Sequence, residues 1–178
     1  MKKWLCICMM LCLLCACGPS KEETPQMITY QPIPQELLEK IQKTMPETIY
    51  NELKKNGRSY QLDDTLLVIS GTEYLNPALR LDYTYRGDTL IHYVYKPYGN
   101  GTFDDQTFLD HLITKEEATQ LADNFARAFF NEKRQFRQRG DLSGYDTGDY
   151  MTLEDEQGNA YLIQLNRNVI LKYIEKER

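Results

Sequence analysis

Two histidines are the only imidazoles in the chain, His92 and His111. His111 follows Asp110 and stands near Asp104 and Asp105. That grouping has the donors for acid–base work, but it falls short of the ligand set a zinc site needs, and neighbouring Asp and His residues in loops are ordinarily solvated. His92 sits in an alternating run opposite Tyr83, where a hydrogen-bonded core histidine is the ordinary explanation. The stretch from Asp141 to Asp149 has the composition of a calcium loop. Its sixth position is Asp146 where an EF-hand requires Gly, and its twelfth is Thr152 where it requires Glu. No nucleophile elbow, H-E-x-x-H, Walker loop or Cys-x-x-Cys occurs, and Tyr98 to Thr102 lacks the third glycine of a dinucleotide loop. Arg86-Gly87-Asp88 spells an adhesion tripeptide, yet its Gly and Asp are what a tight turn uses anyway. We therefore expect no catalytic residue, no metal and no cofactor, with a hydrolase around His111 as the minor alternative.

Tyrosine is the residue type left over. The chain has 13, and Tyr93, Tyr95 and Tyr98 are expected to share a surface with Tyr74 nearby. Tyrosine brings contact area at little entropic cost together with a polar handle, which suits protein or sugar partners. The competing explanation is that aromatic residues fit half-buried strands.

The N-terminus carries chemistry of another kind. Lys2 and Lys3 precede an almost unbroken apolar run from Trp4 to Leu14. This is the layout of a secretory signal, and the run is too short to span a bilayer as a helix. It ends in Leu14-Cys15-Ala16-Cys17, followed by Gly18. This segment resembles the lipobox of bacterial lipoproteins, with Cys15 standing where Ala, Ser or Thr is more usual. The resemblance implies cleavage after Ala16 and diacylation of the Cys17 thiol, hence an extracytoplasmic, lipid-anchored protein of the cell membrane or outer membrane. All five cysteines (Cys6, Cys8, Cys12, Cys15 and Cys17) lie at or before that point, so none is left for a disulfide beyond it.

Behind these groups the elements are legible in outline. Residues 17–33 read as the lipidated cysteine and a polar, Pro-rich tether with a reach of roughly 20 Å. A helix is predicted from Pro34, with Leu37, Leu38, Ile41 and Met45 on one face, a kink or restart at Pro46, and a stop at Asn56-Gly57. Short strands follow from Tyr60 to Ile69. Then comes a hairpin from Leu79 to Tyr95, turning at Gly87-Asp88. Strict alternation through it would pair Tyr85 with Leu90, Tyr83 with His92 and Leu81 with Val94 on the core face, leaving Tyr93 and Tyr95 on the other. A second helix opens with Thr114 and Glu117 as a capping box, carries Ala118, Leu121, Ala122, Phe125 and Phe129, and is expected to run on through Phe136 to Gly140. A meander of Met151–Asp155, Ala160–Leu165 and Val169–Ile174 closes the chain, with Met151, Leu153, Tyr161, Ile163 and Leu165 on one face.

Both halves, 34–100 and 112–178, thus run helix, strand, tight turn, strand. The expected fold is α+β, with helices packed on antiparallel sheet in a single domain over 34–178, built from two helix-plus-meander halves. Ile113-Thr114-Lys115-Glu116-Glu117-Ala118, with the later Gln157-Gly158-Asn159-Ala160-Tyr161 turn, is similar to PepSY-type and cystatin-like exported modules. That likeness implies binding or inhibition at the cell envelope rather than catalysis. The net charge of −5 becomes more negative once Lys2 and Lys3 are removed, which argues against nucleic acid as a partner. The expected partners are membrane lipid through acylated Cys17 and an envelope protein or glycan.

Overall fold

A computed structural model of the chain describes residues 28–71, 77–97, 108–140 and 149–177. The fold is α+β: among these residues, three helices lie on one face of an eight-stranded antiparallel sheet. Helix α1 (Gln35–Thr44) and helix α2 (Glu47–Asn56) follow the interrupted apolar stripe. Pro46 separates them because its ring cannot continue the preceding turn, yet it suits the start of the next, where its missing N–H is one that no helix satisfies. Leu37, Ile41, Ile49 and Leu53 all point into the core. Gly57 ends α2 in an extended conformation, and a Cβ there would lie 2.3 Å from the Leu53 carbonyl oxygen.

Four strands then form the first meander: β1 (Arg58–Leu62), β2 (Thr65–Ser70), β3 (Leu79–Arg86) and β4 (Thr89–Pro97). The chain joins the domain before Pro34, within the 17–33 segment expected to be tether. Gln31 bridges Ser59 through two backbone bonds of 2.8 Å, and the Ser59 hydroxyl donates to the Pro32 carbonyl at 3.1 Å. Residues 31–33 therefore already belong to the domain, and Ile33 is buried in its core.

Helix α3 (Lys115–Phe130) opens as its capping box predicts: Glu117 N donates to Thr114 Oγ1 at 3.2 Å, and Thr114 N donates to Glu117 Oε2 at 2.7 Å. It ends ten residues before Gly140. Asn131 takes the left-handed conformation at φ 55° and stops the helix, a role a short polar side chain can fill in place of Gly. The Lys/Arg-rich stretch beyond turns back as β5 (Phe136–Gln138). Strands β6 (Tyr150–Asp155), β7 (Ala160–Gln164) and β8 (Val169–Ile174) complete the second meander. Met151, Leu153, Tyr161, Ile163 and Leu165 are all buried, as the alternation predicts.

The two meanders form one sheet in the order β1-β2-β3-β4-β8-β7-β6-β5, joined where the last strand of each pairs antiparallel with the other. Correspondence between the halves extends to single residues. Strand β4 carries an extra residue at Ile91, between the pairs Tyr85↔Leu90 and Thr84↔His92. Strand β8 carries one at Leu171, between Ile163↔Ile170 and Leu162↔Lys172. Each bulge lies two residues before a tyrosine, Tyr93 in one half and Tyr173 in the other, and those two pair across the join.

Candidate functional site

The bulge at Ile91 decides where the tyrosines go. One inserted residue reverses the parity of everything after it, because side chains alternate with period two. Tyr85 and Leu90 pair as the turn requires, but beyond the bulge Tyr83 meets Tyr93 and Leu81 meets Tyr95. Tyr93 and Tyr95 are therefore core residues, 2% and 3% exposed, and not the binding surface expected of them. His92 and Val94 take the opposite, open face. Tyr98 and Tyr74 lie outside the described residues.

What the register builds instead is a buried row of four tyrosines, Tyr83, Tyr93, Tyr173 and Tyr161, on four neighbouring strands. Helix α3 lies over it. Phe125 packs edge-on to Tyr93 at 5.2 Å between ring centroids and to Tyr161 at 6.0 Å, and Phe129 stacks on Tyr83 at 5.8 Å. Burial holds the Tyr83 and Tyr93 hydroxyls well above the usual tyrosine range, and it pushes Tyr173 up to about 12. All four are neutral at physiological pH.

One end of this row is tied to a buried ion pair that the sequence reading missed. Arg134, just past the stop at Asn131, reaches Asp155 Oδ2 at 2.7 Å and the Tyr161 hydroxyl at 3.0 Å with its Nη1. Tyr161 donates to the same carboxylate oxygen at 3.0 Å, and Asn159 Nδ2 donates to it at 2.9 Å. The other oxygen, Oδ1, accepts the backbone N–H groups of Gln157 at 3.0 Å and Asn159 at 2.9 Å. Burial alone would raise the Asp155 carboxyl, but the bonds from Asn159, Tyr161 and Arg134 outweigh it and hold it below the ordinary value. Arg134 also bonds Glu132 and lies over the Phe130 ring at 4.2 Å. With every oxygen lone pair of Asp155 engaged, the cluster is a strut that ties the β6–β7 turn to the chain leaving α3, and it has no base to offer a substrate. A sequence signal existed: Asp155, four residues before Asn159 across a Gly turn, is an arrangement in which a carboxylate caps its own loop.

The remaining candidates stay apart. Asp110 and His111 are exposed ahead of α3, while Asp104, Asp105 and residues 141–148 lie outside the described residues. Among the described residues no group of three or more His, Cys, Asp or Glu side chains is placed to hold a metal ion. No protein-family model, curated protein or solved structure matches the chain.

The face of the sheet away from the helices is the surface with a chemical character of its own. Register puts Asp82, Val94, Lys172, Leu162 and Thr152 in one row across it, and Thr84, His92, Ile174, Ala160 and Glu154 in the next. Asp82 is shared by Arg80 at 2.5 Å and Lys96 at 3.6 Å. At the far end Glu154 is shared by Arg137 at 2.6 Å and Arg139 at 3.8 Å. Each acid thus faces two cations, and Lys172 lies between the two clusters. Partial burial, then Lys172 and Lys96, hold the His92 imidazole below its ordinary value against the pull of Asp82. Among the described residues of this face cations outnumber acids, and Leu67 and Ile69 on it are buried.

Proposed function

We propose that the chain is a membrane-anchored bacterial lipoprotein whose α+β domain works on the extracytoplasmic side as a non-enzymatic binding or accessory module. The observation that carries the proposal is the N-terminal constellation: Lys2-Lys3, the apolar run from Trp4 to Leu14, and Leu14-Cys15-Ala16-Cys17. A thiol at a new N-terminus, with no other cysteine after it, is most simply an attachment point. Two or three acyl chains anchor stably where a single chain binds only marginally.

The non-enzymatic reading is supported by the way the buried polar groups are spent. The best-defined ion pair, Arg134 with Asp155, is saturated by its own neighbours, and His111 stands exposed beside Asp110. With Tyr93 and Tyr95 in the core, the glycan-binding alternative loses two of the tyrosines that motivated it, and Tyr74 and Tyr98 lie outside the described residues.

The Cys17→Ala variant is expected to lose acyl labelling when cells are fed a tagged fatty acid, and to keep its uncleaved N-terminal segment. Label retained on that variant would overturn the anchoring reading.

A further inference from the structure

We propose that a cleft where the two halves meet, at one end of the sheet, binds an alkylammonium group: a primary amine carried on a methylene stem. The inference rests on the binding-module reading of the domain and gives that module a ligand class. The cleft has a volume of about 340 Å³. The β3–β4 turn contributes Asp88, and the last turn of α3 contributes Phe129 and Phe130. Glu132 just past that helix, with Tyr173 and Glu175 at the end of β8, lines the rest of its charged and aromatic wall. Two kinds of surface thus converge, aromatic rings and carboxylates from three separate stretches of chain.

The carboxylates keep acceptors to spare. Glu132 takes Arg134 and Gln157 through Oε2 alone, and Glu175 takes Arg86 through Oε2 alone, at 3.1 Å. The Asp88 carboxylate has no hydrogen bond or ion pair among the described residues. The segments 72–76, 98–107 and 141–148 contain no Lys or Arg that could offset these acids.

The rings point the same way. Phe130 already carries the Arg134 guanidinium at 4.2 Å, and Lys40 Nζ lies 5.8 Å from the Phe129 ring centre, so this wall attracts positive charge. Phe129 and Phe130 also end α3, which brings the negative pole of the helix to the cleft. A bare metal ion fits less well, because the described acids form no group of three placed around one such ion. An ammonium suits their spread: it has three donors, and its methylene stem can lie along the rings.

The test uses the full chain, purified from membranes and reconstituted into phosphatidylcholine vesicles. It is titrated with 5-aminopentanol or with the peptide acetyl-Gly-Lys-Gly-amide and read by saturation-transfer NMR, with the protein's aromatic protons irradiated. Methylene protons of both probes are expected to gain saturation, while 1,5-pentanediol and the same peptide with its lysine acetylated do not. Asp88→Asn combined with Glu132→Gln should weaken binding about fivefold, the upper end for exposed charge pairs. Asp88→Asn alone breaks no contact among the described residues and keeps a residue that suits the turn, and it should weaken binding about twofold. Glu116→Gln, at the opposite end of α3, should leave the affinity unchanged. Tighter binding of the peptide supports the site and assigns its ligand to a lysine of a partner protein; equal binding supports it with a free amine. The proposal is overturned by equal saturation of the diol, by no saturation of either amine, or by unchanged affinity in the double variant. A probe converted to a new species, in a manner lost in the double variant, would support the cleft and contradict the non-enzymatic reading, so the two failures are told apart.

Discussion

Asp155 is the residue on which the most contacts converge, and its removal is the sharpest single-residue test of the second half. Asp155→Ala leaves Arg134 buried against Tyr161 with only the exposed Glu132 as counter-charge, and breaking a buried pair of this kind costs about 3–5 kcal/mol. Urea unfolding should show a midpoint displaced to match; a shift below about 1 kcal/mol would mean that the pair is not closed in solution. The pH dependence follows from the direction of the shift. Because the folded carboxyl is held below its ordinary value, its stabilising share is complete above the unfolded carboxylate range and fades as pH falls through the lowered folded value. Asp155→Ala should flatten the acid limb of a stability–pH profile. The sequence shows this residue only as one acid among several at a turn. What makes it central is Arg134 returning past Asn131, and a run of Lys and Arg after a helix reads as easily as dipole complement.

At the scale of elements, several local signals were read correctly, although the helix stop at Gly140 was not. The Thr114–Glu117 capping box, the restart at Pro46 and the turn at Gly87-Asp88 each depend on a few consecutive residues, and each stands where the sequence places it. The hairpin's faces depend on whether one residue bulges, and nothing in Leu90-Ile91-His92 announces that. Pairing energy decides it: with the bulge, two tyrosines enter the core beneath Phe125, and His92 goes to the open face. Deleting Ile91 restores plain alternation and would expose Tyr93 and Tyr95. The expected loss exceeds about 5 kcal/mol, comparable with the whole stability of a domain this size. Ile91→Ala, which keeps the bulge, should cost no more than about 1 kcal/mol. Thermal melts of the two variants check this, and a cooperative, near-native melt for the deletion would show that the register is not what holds the tyrosine row.

For the whole molecule, the α+β class and the helix-plus-meander halves were legible because amphipathic periods of helix and strand alternate cleanly along the chain. That the halves share one sheet was not. The joining pair, Tyr93 with Tyr173, lies far apart in sequence and is chosen by which edges remain to be covered. The matched bulges then give the sheet one buried aromatic face, and among the described residues the other face carries more cations than acids. A charge asymmetry of this kind has a consequence only if something holds the molecule in a fixed orientation, and the N-terminal cysteine is the feature that would do so.

Anchoring at Cys17 is therefore the claim on which the rest turns, and the intact mass of the protein extracted from its own membranes tests it most directly. The account predicts a chain beginning at Cys17 and heavier than its sequence by a diacylglyceryl group, with or without a further acyl chain on the new N-terminus. A mass equal to an unmodified chain, whether uncleaved or cut at another residue, would contradict it.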